Sequence, residues 1–191
     1  WGSEALEDTV RLLEEKGIAS VGAGLNKAEA NAPRFFRAGD SVVAFLAYTN
    51  LYPDGLVAGA DSPGVSNPQI ESVLSDIASV QKKADVVVVS YHWGDEYQTI
   101  SNVAQRELAH EIIDAGADLV IGHHPHVAQE VERYKDGWIA YSLGNFVFDQ
   151  NFSEETMRGL MLRAFVRDGQ IVRVEEVRTR LSSTYQVFVV E

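Results

Sequence analysis

The segment DLVIGHHPHVAQEV, residues 118–131, holds three of the chain's five histidines within four positions: His123, His124 and His126. Neutral imidazole is the commonest protein ligand for metal ions, and it trades protons near neutral pH. A single histidine beside a strand is more often a hydrogen-bonded loop residue than a ligand. Three together point instead to a metal or phosphoryl site. Pro125 disfavours the helical region for His124, so the segment is expected to be extended. Residues two apart then face one way. That puts His124 and His126 together and turns His123 aside.

A fourth histidine belongs with them. ADVVVVSY, residues 84–91, reads as a strand with apolar residues on both alternating faces, and it runs into YHWGDEY. A pattern of that kind suits a parallel strand covered on both sides. A helix over about 103–115, stopped by Gly116, then leads to a second strand, DLVIG. Such βαβ crossovers keep their strands parallel and are almost always right-handed. Both strands therefore end on one sheet edge, where ligand sites of open α/β sheets gather. His92 is expected to share that crevice. Asp95 and Glu96 beside it could serve as carboxylate ligands, general acid–base groups or partners behind a ligand. His110 falls inside the helix and reads as a helix residue. In YSLGNFVFD, Gly144 permits an unusual turn. Asn145 could bond a ligand or a metal through its amide, or simply occupy a turn.

Other chemistries have little support. The chain has no cysteine, which excludes disulfides, zinc-thiolate sites and thiol nucleophiles. GAGLN lacks both the dinucleotide fingerprint and the P-loop lysine. There is no G-x-S-x-G elbow, and Ser90 before the histidine loop is a common kind of strand-end serine. No carboxylate pair for glycoside hydrolysis stands out among 28 acids. The balance of 16 basic and 28 acidic residues, net −12, repels nucleic-acid phosphates and anionic lipid. Nucleic acid is therefore not expected as a partner. An anionic substrate would need a local positive charge such as a bound metal. No apolar run approaches the roughly 18 residues of a membrane span.

The elements that must position these residues are readable in outline. A chain of 191 residues fits one domain and should bury roughly 70% of its unfolded surface. Ser3 is a candidate N-cap for a helix carrying Leu6, Val10 and Leu13 and ending at Gly17. IASVGAG reads as a short strand, and RFFRA–GD–SVVAFLAYT as a hairpin. Residues 50–68, with three of the five prolines, read as a long loop, and a helix should span about 68–83. EVERY–KDG–WIAYSL and RGLMLRAFVR–DG–QIVRVEEVRTRL read as hairpins, and TYQVFVVE as a last strand. The order implies an α/β layered domain with a mixed β-sheet.

The stretches VVVVSYHWGDEY, GADLVIGHHPHVAQEVE and IAYSLGNFVFDQ, in this order, together with the opening WGSEALEDTVRLLEEKGIASVGAGLN, resemble the capsule-synthesis protein CapA family. The resemblance implies a calcineurin-like metallophosphoesterase fold and a place in bacterial poly-γ-glutamate capsule biosynthesis. It carries over His92, His124 and His126 as metal ligands, and His92, Glu96 and Asn145 as catalytic positions. His123 is the second choice if the register differs by one. Arg158 in ETMRGL could contact an anion or be a surface residue. The family's early Gly-Asp strand and Asn-Asn-His motif, which supply further ligands, are not in this sequence. Residues 1–191 are therefore expected to be the C-terminal part of a single domain, weak in metal binding and inactive alone. The full-length parent would hold two divalent ions, with Mn, Mg, Zn and Fe all open. It would act by metal-dependent hydrolysis or transfer at a phosphate or related group, on an anionic small molecule or polymer. The resemblance also implies an extracytoplasmic or membrane-associated parent within a capsule synthesis complex. Alone, the chain should associate with itself, or with its missing N-terminal piece, through an exposed sheet edge. The competing reading is a noncatalytic assembly or export component that retains the fold, since fold does not settle function.

Overall fold

The computed structural model describes residues 2–52 and 54–190. Trp1, Pro53 and Glu191 lie outside the described residues, so the ends of the first predicted helix and last predicted strand, and one proline of the 50–68 loop, fall there. In chain order the elements are α1 (Gly2–Glu15), β1 (Ala23–Gly24), α2 (Lys27–Ala30), β2 (Arg34–Ala38), β3 (Ser41–Thr49), β4 (Gly64–Val65) and α3 (Ile70–Val80). There follow β5 (Val86–His92), α4 (Val103–Asp114), β6 (Leu119–His123), β7 (Val131–Tyr134), β8 (Gly137–Ala140), β9 (Arg158–Arg167), β10 (Gln170–Leu181) and β11 (Val187–Val189).

The four valines of β5 are all buried, and they put this strand at the centre of a six-stranded sheet of order β2-β3-β5-β6-β8-β7. β-Branched side chains on both faces are what a doubly covered parallel strand requires. The pairs β3–β5, β5–β6 and β6–β8 are parallel, while β2 and β7 are antiparallel edges. Val73, Ile77 and Val80 of α3, with Ala109, Ile112 and Ile113 of α4, cover one face by meeting Val87, Val89, Val120 and Ile139. The opposite face, with Val43, Val86, Val88 and Leu119, packs on Ile171, Leu162, Val166 and Val174 of the β9–β10 hairpin. The result is the expected layered α/β domain with a mixed sheet. Helix α4 starts at a reciprocal cap: Gln105 N donates to the Asn102 side chain, and Asn102 N donates to that of Gln105. This satisfies two otherwise orphaned donors.

Three local expectations need correction. Ser3 lies within the first turn of α1 instead of capping it. IASVGAG contributes only the two-residue β1, because its partner β4 arises from inside the 50–68 loop and is equally short. The helix predicted over 68–83 is trimmed to Ile70–Val80, with Gln69 extended at ψ 155 before it.

The ends of β5, β6 and β8 are locked together. Trp93 N donates to His123 O at 3.0 Å, and the Trp93 indole Nε1 donates to Tyr141 O at 2.9 Å. The indole passes over Gly122, where a Cβ would lie 1.9 Å from Tyr141 O and 2.5 Å from Trp93 Nε1. Gly122→Ala should therefore overpack a backbone contact at a cost of about 1–3 kcal/mol. For a domain of this size that lowers the melting temperature by roughly 3–10 °C. Thermal unfolding followed by circular dichroism checks this, and an unchanged melting temperature would show that the indole and the carbonyl separate freely.

Candidate metal centre

Parallel pairing builds the floor of the site. Thr49, His92 and His123 are in-register neighbours across β3, β5 and β6. Registered residues of parallel strands present side chains to the same face. His123 is thus beside His92, and it stays outside the group that His124 and His126 form. The chain then leaves the extended region altogether. His124 has φ 104 and His126 has φ 60, so the segment around Pro125 is sharply bent. The convergence of His124 and His126 holds, with ring centroids 6.1 Å apart, but two left-handed residues produce it and not an extended strand.

Such conformations cost of order 1–3 kcal/mol each for non-glycine residues and persist where surrounding contacts impose them. Tyr97, at φ 63, is a third one in the same place. Its N–H donates to Pro125 O at 2.8 Å, joining the two histidine loops. Together these bends bring Glu96, His124 and His126 into a group whose ligand atoms all lie within 4.8 Å of one another. The His92 ring lies 4.8 Å from that of His124, centroid to centroid. Imidazole and carboxylate donors at this spacing fit one divalent ion, which would take ligands at about 2.0–2.2 Å after small side-chain rotations.

Hydrogen bonds set the tautomers. Asn145 Nδ2 donates to Thr156 O at 3.0 Å, so its Oδ1 is left to accept from His126 Nδ1 at 2.9 Å. The lone pair of His126 is then on Nε2, free for a ligand. Thr49 Oγ1 donates to His92 O at 3.3 Å and lies 3.1 Å from His92 Nδ1, which donates to it. His92 Nε2 is likewise left open. Burial, reinforced by the positive charge that His124, His123 and His126 would carry, pulls His92 down to about 4. Burial also lowers His123 and, against the opposing pull of Glu96 and Asp95, His124. These three imidazoles are neutral at pH 7, as metal ligands must be.

The remaining candidates separate cleanly. Asp95 accepts from Asn102 Nδ2 at 2.7 Å and braces the cap of α4. His110 meets Glu132 at 3.1 Å and stacks on Tyr134 at 3.7 Å, as a helix residue away from the cluster. Arg158 is an exposed partner of Glu154. Gly144 takes φ 69, the turn its sequence allowed. Sequence reasoning passed over Thr49, which the register of β3 with β5 would have revealed. It also gave no role to Tyr52, stacked on His92, or to Tyr97, stacked on His126.

Residues 1–150 match the family model described as bacterial capsule synthesis protein PGA_cap. The chain is 38% identical over 154 residues to the PGA biosynthesis protein CapA of Bacillus subtilis, covering 80% of this chain and 40% of that protein. It is 37% identical over 172 residues to the capsule biosynthesis protein CapA of Bacillus anthracis, covering 88% and 42%. A probable polyglutamine synthesis accessory protein of Mycobacterium tuberculosis is 32% identical over 160 residues, covering 78% and 42%. The chain thus spans about two fifths of the length of these curated relatives. Among solved structures, a putative 5′-nucleotidase from Staphylococcus aureus superposes with a TM-score of 0.54 at 17% identity, covering 100% of this chain and 34% of that one. The sulfate thiohydrolase SoxB of Thermus thermophilus gives 0.51 at 16% identity, covering 83% and 24%. The shared fold is the layered α/β arrangement of the metallophosphoesterase type.

The depressed histidine makes a pH prediction for the metal-free chain. An unfolded histidine titrates near 6.5, and folded His92 near 4. Between those values the unfolded state holds the extra proton. Stability therefore falls as pH drops from about 6.5 to about 4, with no further loss from this group below that. In EDTA, the urea midpoint plotted against pH should slope less steeply across this window in His92→Asn than in the wild type. Equal slopes would mean that His92 does not carry the effect.

Proposed function

The chain belongs to the bacterial capsule synthesis protein family PGA_cap, and on that premise we propose that it carries the histidine cluster of a metal-dependent hydrolase or transferase of capsule polymer synthesis. The carrying observation is the convergence of Glu96, His124 and His126, with His92 in ring contact. In this reading His124, His126 and Glu96 hold a divalent ion, and His92 completes the set. A bound ion supplies the local positive charge that this acidic chain otherwise lacks, polarising a phosphoryl or related oxygen. Asn145 keeps the His126 proton on Nδ1, which leaves Nε2 as the atom that would bind the ion.

Three imidazoles and one carboxylate fill one tetrahedral shell. A two-ion centre in the whole protein requires ligands beyond this set. The substrate class we propose is anionic, a capsule polymer or a small precursor of it, in keeping with the relatives named for PGA, capsule and polyglutamine synthesis. Such work belongs outside the cytoplasm, at the membrane, within a synthesis complex. Among the described residues no helix is long and apolar enough to cross a membrane. For the chain alone, edge strand β2, with Phe35 and Phe36 exposed, is the surface for self-association.

In the full-length protein, His124→Ala and His126→Ala should each weaken metal binding at least about tenfold, while His110→Ala leaves it unchanged. Elemental analysis after gel filtration, paired with isothermal titration, measures this. Equal metal in all three variants would overturn the ligand assignment. Turnover of a generic phosphodiester with Mn²⁺, Mg²⁺ or Zn²⁺ is expected of the metal-loaded wild type. Tight metal binding with no turnover would favour a noncatalytic assembly or export component.

A further inference from the structure

The histidine cluster lies between two aromatic stacks. Tyr52 stacks on His92 with centroids 5.3 Å apart and planes 14° apart. On the other side Tyr97 stacks on His126 at 6.0 Å and 26°, and Phe148 leans on the same imidazole at 5.0 Å. Phe152 meets Tyr97 edge-on at 5.1 Å. Between the stacks is His124, 4.8 Å from His92 and 6.1 Å from His126 by ring centroid. Among the described residues eight Phe and Tyr side chains are exposed, and Tyr52, Tyr97, Phe148 and Phe152 are half of them. Exposed aromatic surface concentrated at one place on an acidic protein marks a binding surface more than a packing remnant.

The rim is also held in position. Gln150 Nε2 donates to the Tyr97 hydroxyl at 3.2 Å, and Asn145 Nδ2 donates to Gln150 Oε1 at 3.1 Å. The same Asn145 accepts from His126. The amide that orients a candidate ligand therefore also reaches the Tyr97 ring beside it.

We propose that Tyr52, Tyr97, Phe148 and Phe152 form a specificity rim that selects phosphate esters bearing a planar, π-rich substituent. This rests on the metal-site reading above. An anion held at the histidines places its substituent beside rings that already touch those histidines. Aromatic rings reward a flat partner more than a flexible chain, since offset and edge-on ring pairs add stabilisation beyond buried area. A nucleobase and a simple aryl group share this chemistry.

The test uses the full-length, metal-loaded protein and isothermal titration with inorganic phosphate, n-butyl phosphate, phenyl phosphate and a nucleoside monophosphate. Phenyl phosphate should bind roughly two- to tenfold tighter than n-butyl phosphate, the range expected for one or two ring contacts. Tyr52→Leu and Phe148→Leu keep apolar area but remove the flat face. Each should bring that ratio towards one while inorganic phosphate affinity stays within about twofold. The nucleotide binding tighter than phenyl phosphate identifies the substituent as a base, and the reverse order identifies a smaller aryl group. Equal binding of the phenyl and butyl esters by the wild type overturns the rim. Loss of inorganic phosphate binding by the wild type instead overturns the metal-site reading, and the rim with it.

Discussion

The site depends on the parallel register of β5 against β6. That pairing sets His92 beside His123, and the Trp93 indole pins it by reaching Tyr141 O over Gly122. A slip of one residue would send every side chain of the strand to the opposite face. The bare Cα of Gly122 is what lets a large buried indole and a third strand meet at the same level. The structure thus places one of its closest backbone approaches directly beside the histidines.

Electrostatics follow from that placement. Imidazoles brought together at a half-buried strand edge discourage one another's protonation, and burial adds to the effect. The cluster consequently offers neutral nitrogen lone pairs, while the chain as a whole is strongly acidic. On the reading proposed above, a cation reconciles the two, drawn by the overall field and by Glu96.

The β9–β10 hairpin is not merely a cover for the core. Gly159 of β9 approaches Asn145 so closely that a Cβ there would lie 2.2 Å from Asn145 O. Leu160 N donates to Leu143 O at 2.7 Å. These contacts fix the turn that carries Asn145, and through it both the tautomer of His126 and the Tyr97 side of the aromatic rim. A hairpin later in the sequence therefore sets the tautomer of a histidine in the loop after β6.

The sequence by itself determined the βαβ unit, its strands and helix, and hence that His92 and the later cluster share one sheet edge. Those features follow from local apolar periodicity and from the near-fixed hand of the crossover, both readable without coordinates. Its three family-like stretches also pointed to the fold. What tertiary structure alone decided was direction. The left-handed bends at Tyr97, His124 and His126 run against the preference of those residue types, and only contacts such as Tyr97 N to Pro125 O impose them. Thr49 and Tyr52 reach His92 across strands far apart in the chain, and His110 goes to Glu132 instead. Side-chain direction at a strand end is set by what packs around it, and that information resides in no local stretch of residues.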